Sequence, residues 1–218
     1  MKVVVFGASG AAGRGALEAS LRDEDVTEVV SVGRSPLGLA HPALREVAHS
    51  DFTRLEPLAD ELAGADACFY CLGVSTTGHS AEVYRRVSVD FPLAAARLLS
   101  AGRPGLTFAH LSAAGADSTE RGPVAWARVR GRAENELLAM DMRAYMFRPG
   151  RIRPAGGEPP RGRAALAGRR LVSRLLPGPA PDRVTTPEVL GRAMLAAVRL
   201  EGAGPHVLSA RDINRLGA

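Results

Sequence analysis

Lysine is all but missing: Lys2 is the only one, so the basic side chains of this 218-residue chain are otherwise arginine. A site that needs a lysine ammonium is excluded unless the first strand supplies it. Cysteine is scarce too, with Cys68 and Cys71 alone, which excludes a disulfide scaffold. In "CFYC" the two stand three apart, and on a strand such residues point to opposite faces, so both are read as core. Zinc or thiol redox chemistry is not expected from them. The five histidines form no ligand pair of useful spacing, and no metal is expected. No apolar run reaches the roughly eighteen residues of a membrane span. "MKVVVFG" reads as a first strand and not a signal peptide. A soluble cytoplasmic protein is the expectation.

What is present suits one globular domain. Hydrophobic residues make up 46% of the chain, and a chain of this length buries roughly 70% of its unfolded surface without staples. The net charge of +5 is concentrated: residues 151–174 hold seven Arg against one Glu. Such a segment could meet nucleic acid or anionic lipid. The plainer reading is a solvated, loop-rich surface facing a phosphorylated ligand, with no nucleic acid or membrane as partner. A protein partner or a second copy of the chain stays open.

Short β-branched runs alternate with longer amphipathic ones, which is the pattern of parallel βα units. Strands are expected at 2–6, 26–33, within 45–52, at 67–73, 106–112 and 144–149. Helices are expected at 11–23, from Ala81 to Gly102 with Pro92 kinking or restarting the run, and at 123–140. Past Pro149 the texture turns to loops rich in Pro and Gly around a short helix at 163–176. "TPEVLGRAMLAAVRLEG" follows as a late helix, with Thr186 as N-cap, Pro187 in the first turn and Gly202 at the end. "HVLSA" is a candidate last strand. The division is a core over 1–150 and a C-terminal substrate or lid region over 151–218 that completes the same domain.

The first strand runs into "VFGASGAAGRG", with Gly7, Gly10 and Gly13 three apart. A turn that tucks backbone under a pyrophosphate has no room for side chains. The helix that opens near Ala11 points its free N–H groups and positive end at the anion. Following a strand and opening a helix at the head of a βα series is the context that gives the triplet meaning. Ser9, Ala11, Ala12 and Arg14 belong to the same loop and are expected to border the ligand. After the second strand, where an NAD binder keeps a carboxylate for the ribose 2′-hydroxyl, this chain has Gly33, Arg34 and Ser35. A guanidinium forking onto a 2′-phosphate is worth about 1.5–3 kcal/mol, or a tenfold to hundredfold preference for NADP over NAD. Arg14 is a candidate second contact to that phosphate.

With these motifs in place the sequence resembles the short-chain dehydrogenase/reductase superfamily, and looks most like its atypical, NmrA-like and Tat-interacting-oxidoreductase-like branch. The matching stretches are "GASGAAG" (7–13), "GR" (33–34), "DF" (51–52), "CLG" (71–73), "LSAAGAD" (111–117) and "FRPG" (147–150). The resemblance implies an α/β Rossmann-type doubly wound parallel sheet ordered 3-2-1-4-5-6, with room for a seventh strand. It also implies that Asp51 and Phe52 border the adenine, that Leu72 and Gly73 line the nicotinamide-side ribose, and that Ser112 is the active-site serine. Alternation along "FAHLS" agrees with that last placement, because it sets Phe108, His110 and Ser112 on one face with Ser112 at the carboxyl end. His110, deeper in the strand, is read as a core histidine.

One part of the pattern is broken. The family pairs Ser with Tyr-x-x-x-Lys on one helix face, the tyrosine giving the proton and the lysine tuning it. Here those places hold Trp126 and Arg130. Arg130 keeps the charge and can hold a ribose, but its pKa is too high for it to serve as the acid. An indole N–H does not ionise usefully. General acid catalysis contributes about 10²–10⁴ in rate, so its loss cripples ordinary carbonyl reduction and leaves dinucleotide binding untouched. Tyr84, His79 or a water on Ser112 are conceivable substitute donors, with helix packing the plainer role for Tyr84. The structural alternative for the pair is a buried indole beside an Arg130–Glu134 helical ion pair. Two functions follow: an NADP(H)-binding oxidoreductase-like protein with Ser112, Arg130 and Trp126 at an altered site, or a redox sensor or scaffold that binds the dinucleotide without turnover. The small-molecule substrate is not specified by these motifs.

Overall fold

Successive residues of Lys2–Phe6 (β1) enter two different cores: Val3 and Val5 one, Val4 and Phe6 the other. A strand apolar on both faces must be covered on both, and parallel pairing with intervening helices achieves that. The computed structural model describes residues 1–103, 105–153, 184–200 and 206–218. The helix expected over 163–176, the Arg-rich stretch past Arg153 and the helix end at Gly202 lie outside the described residues.

Among the described residues seven strands form one sheet: β1, Glu28–Gly33 (β2), Leu44–Ala48 (β3), Ala67–Tyr70 (β4), Thr107–Leu111 (β5), Arg143–Arg148 (β6) and Val207–Ser209 (β9). The order is β3-β2-β1-β4-β5-β6-β9, parallel throughout. It is the expected 3-2-1-4-5-6 with the seventh strand from "HVLSA". Arg151–Ile152 (β7) and Val184–Thr185 (β8) pair separately.

Helix Ala11–Arg22 (α1) covers one face with Pro187–Val198 (α6) and Ala210–Leu216 (α7); the other face carries Ala59–Leu62 (α2), Phe91–Gly102 (α4) and Ala125–Leu138 (α5). α6 starts as anticipated, with the Thr186 hydroxyl accepting from Val189 N–H. It lies hard against α1: a Cβ at Gly15 would stand 2.0 Å from the Pro187 carbonyl oxygen, and one at Gly191 2.2 Å from that of Gly15. This close approach puts the C-terminal elements on the same sheet as the first.

The long run from Ala81 is Ala81–Arg85 (α3), one wider π turn over Arg86–Asp90, then α4. Phe91 N–H reaches back five residues to the Arg86 carbonyl. Pro92 explains the turn: it has no N–H to return to Ser88, so the helix widens before it and restarts on it.

Candidate cofactor cleft and active site

The sheet order reverses between β1 and β4, and there the chain leaves a cleft at the carboxyl ends of the strands. It measures about 370 Å³ and is lined by Gly7, Ser9, Gly10, Arg34, Phe52, Leu72 and Gly73, with Gly33, Ser50, Cys71, Val74, Val87 and Phe91. That volume lies in the range of small-molecule sites.

The glycines are there for backbone approach. Gly7 has φ +81°, and a Cβ on it would stand 2.8 Å from Leu72 N, so the turn after β1 touches the turn after β4. A Cβ on Gly13 would meet the Gly7 carbonyl oxygen at 2.2 Å. Gly10 differs: the nearest atom to its Cβ position is 3.5 Å away, and it faces the cleft. As N-cap of α1 it has no side chain to take the first-turn N–H groups of Ala11, Ala12 and Gly13, which leaves donors beside the cleft for an anion. Ala11 is exposed while Ala12 and Gly13 are buried, and none of the three lines the cleft itself.

Arg34 is exposed and borders both the cleft and a neighbouring hollow of about 230 Å³ formed with Ser9, Ser31 and Ser35–Leu37. Among the described residues nothing pairs with its guanidinium. One carboxylate does lie nearby, Glu46 on β3, but it accepts from the N–H groups of Leu37 and Leu39 and so pins the loop after Arg34. Sequence reasoning missed this anchor, since a single exposed-looking Glu in an edge strand has no local signal. Arg14 is engaged along its own helix with Glu18 at 2.7 Å, lowering that carboxyl's pKa, and stays outside the lining.

Phe52 is 4% exposed and packs edge-on to Phe6 and against Phe91, giving the cleft an aromatic wall. Asp51 is turned away into its own loop, where the Thr53 hydroxyl and N–H hold its carboxylate and lower its pKa.

The residues of the broken pattern, Ser112, Trp126 and Arg130, are not among those lining the cleft. Ser112, one residue past β5, is 6% exposed, and its hydroxyl has no partner among the described residues. Arg130 on α5 donates from Nη1 to the Leu111 carbonyl at 3.1 Å and from Nε to the Tyr84 hydroxyl at 3.1 Å. Its Nη2 lies 3.6 Å from where a Gly73 Cβ would be. The guanidinium thus ties the end of β5, helix α3 and the cleft wall together. The Arg130–Glu134 pair is not formed: Glu134, fully buried, takes a forked contact from Arg148, which also donates to Ser118 Oγ at 2.7 Å. Four residues apart on a helix permits a pair, but Glu134 faces β6, where Arg148 meets it. Trp126 is half-buried, with its ring edge 3.3 Å from the Cβ position of Gly115, itself at φ +92°. The indole therefore packs on the 112–117 loop.

Tyr84 is buried as expected of a packing residue, yet it also holds Arg130, 46 positions away in the chain. His110 is core, and burial, followed by the nearby Arg130 charge, pushes its pKa down to about 3. Both of its ring nitrogens are without partners. Cys68 and Cys71 enter opposite faces, and burial pushes the Cys71 thiol up to about 12.

No family model matches the chain. Over 152 residues it is 32% identical to the Rattus norvegicus protein HTATIP2, a match spanning 68% of this chain and 61% of that protein, less than two thirds of its length. A short chain dehydrogenase from Burkholderia cenocepacia J2315 in complex with NADP superposes with a TM-score of 0.65 at 19% identity, covering 98% of this chain and 91% of that one. The Bordetella bronchiseptica enzyme WbmF in complex with NAD+ gives 0.67 at 14% identity, covering 98% and 76%. Both structural likenesses are of fold. Among the described residues no helix is long and apolar enough to cross a membrane.

Proposed function

We propose that the chain belongs to the atypical branch of the short-chain dehydrogenase/reductase superfamily, binds NADP(H) in the β1–β4 cleft and acts as an oxidoreductase with an altered proton-donating site. The observation that carries this reading is the convergence in one cleft of a bare glycine turn, uncapped helix N–H groups and an unpaired guanidinium where a 2′-phosphate would lie.

A dinucleotide fits these residues. The pyrophosphate takes the Gly7–Gly13 turn, whose close backbone contacts at Gly7 and Gly13 leave no place for side chains. Phe52 offers the adenine an apolar wall, and Glu46, which pins the loop after Arg34 through the Leu37 and Leu39 N–H groups, is not among the residues lining the cleft, whose lining holds no carboxylate for a ribose hydroxyl. That favours Arg34 with a 2′-phosphate over a free 2′-hydroxyl. Leu72 and Gly73 would flank the nicotinamide end, with Arg130 Nη2 against Gly73 and its Nη1 on the carbonyl of Leu111, the residue before Ser112. When bound, the nicotinamide supplies hydride transfer; the chain orients it and shields it from water. Titrating NADPH and NADH by nucleotide fluorescence tests the reading: at least tenfold tighter NADPH binding is expected, and equal or absent binding overturns it.

A dinucleotide-binding sensor without turnover is the second reading. It rests on Trp126 packing against Gly115 where the family keeps an ionisable group. Reduction of any carbonyl compound by the wild-type chain eliminates it.

A further inference from the structure

We propose that Tyr84, carried on α3 and held by Arg130, is the proton donor of this site, so that the acid and its cation come from two helices instead of one. This rests on the oxidoreductase reading above. Three observations converge on it. Arg130 Nε–H donates to the Tyr84 oxygen at 3.1 Å, which leaves the phenol's own proton free to be given onward. The guanidinium carbon also lies 6.0 Å from the Tyr84 ring centroid. And the pair lies just behind the cleft wall: Arg130 Nη2 comes within 3.6 Å of the Cβ position of Gly73, and Val87, one turn on from Tyr84, lines the cleft.

The chemistry follows from the charge. In a carbonyl reduction a bound reduced nicotinamide would supply the hydride to the carbonyl carbon, and Tyr84 would give its phenol proton to the carbonyl oxygen, leaving an alcohol and a phenolate. The new negative charge appears against a permanent cation that already donates to it, in a place 94% removed from solvent, since Tyr84 is 6% exposed. A hydrogen bond to an ionised partner is roughly twice as strong as a neutral one, so Arg130 holds the phenolate more tightly than the phenol. That is differential stabilisation of the charge-developed state. Water then returns the proton to the phenolate.

The other described groups serve less well. Tyr70 lies in the core, where burial, and then Cys68, raise its pKa well above the ordinary value. Tyr145 enters the core on the opposite face. His110 is neutral at physiological pH and has no proton in excess to give. Arg130 itself never gives up its proton.

The test uses the full chain, NADPH as hydride source and a panel of aldehydes and ketones in single-turnover and steady-state assays. Tyr84→Phe is expected to lower kcat about 10²–10⁴-fold, with KM and the NADPH dissociation constant unchanged. Arg130→Lys should retain more of kcat than Arg130→Met, because only the first keeps a cation beside the phenol. Thermal melting and NADPH titration show that each variant is folded. Wild-type turnover that survives Tyr84→Phe within threefold overturns this assignment and leaves the oxidoreductase reading standing. NADPH binding with no turnover of any carbonyl by the wild type overturns both the donor and the enzyme. Absence of NADPH binding removes the cofactor reading itself.

Discussion

The glycine turn allows an experiment that separates the needs of the fold from those of the ligand. At Gly13 an added methyl would lie 2.2 Å from the Gly7 carbonyl oxygen, against backbone that cannot step aside. Overpacking of that kind costs about 1–3 kcal/mol or more, so Gly13→Ala should melt lower and bind less, and the loss of binding would say nothing about phosphates. Gly10 is the informative site. Its backbone, at φ −83° and ψ 161°, is ordinary extended geometry, and the nearest atom to its Cβ position is 3.5 Å away. The stiffer unfolded chain stabilises Gly→Ala by about 0.4–1 kcal/mol at a compatible position, and the poorer cap offsets a few tenths of that or more. Gly10→Ala should therefore melt within about 1 kcal/mol of the wild type. The same methyl enters the cleft where the pyrophosphate approaches the α1 amides. Losing close contact with them should weaken NADPH binding at least tenfold, about 1.4 kcal/mol. Differential scanning fluorimetry and NADPH fluorescence titration on the same samples read the two effects separately. If Gly10→Ala binds NADPH as tightly as the wild type, the anion does not sit on this turn and the argument for the cleft is wrong.

Other outcomes follow from individual residues. Arg34→Leu should cost NADPH about tenfold to a hundredfold in affinity and leave NADH unaffected, as the loss of one charged hydrogen bond dictates; equal losses for both nucleotides would place the guanidinium elsewhere. His110, with a folded pKa of about 3 against an ordinary 6.5, stays neutral while the unfolded chain takes a proton. Its contribution is lost as pH falls below about 6.5, at about 1.4 kcal/mol per pH unit down to about 3. Urea midpoints between pH 6.5 and 5 should thus fall more steeply for the wild type than for His110→Phe, and parallel curves would contradict the assignment. Glu134→Leu should destabilise by about 3–5 kcal/mol, because it strands Arg148 beside an apolar wall. The double variant with Arg148→Leu should recover most of that. Chemical denaturation of the three variants measures it, and additive losses would deny the coupling.

Local pattern carried a good deal of this molecule. The continuous apolar run Val3–Phe6 and the fully apolar "ACFY" specify strands buried on both faces, and amphipathic runs between them specify the covering helices. These features are set by neighbours in the chain, as is the packing of Gly13 on the Gly7 carbonyl; the contact of Gly7 with Leu72 is long-range, yet it falls on a turn that the glycine spacing already marks. Arg34 was legible for the same reason: it follows directly on β2, at the sheet edge where the cleft opens.

What the chain alone left open are contacts whose partners are far apart along it. Arg130 could have met Glu134 one helical turn on; the packing of α5 on β6 gave Glu134 to Arg148 and turned Arg130 to Tyr84. The loops place Asp51 against Thr53 and Phe52 in the wall, a choice no periodicity records. Side-chain period and turn chemistry are local properties and can be read residue by residue. Which of several possible partners a guanidinium or carboxylate takes depends on which elements are brought within about 3 Å, and only the assembled sheet and helices decide that.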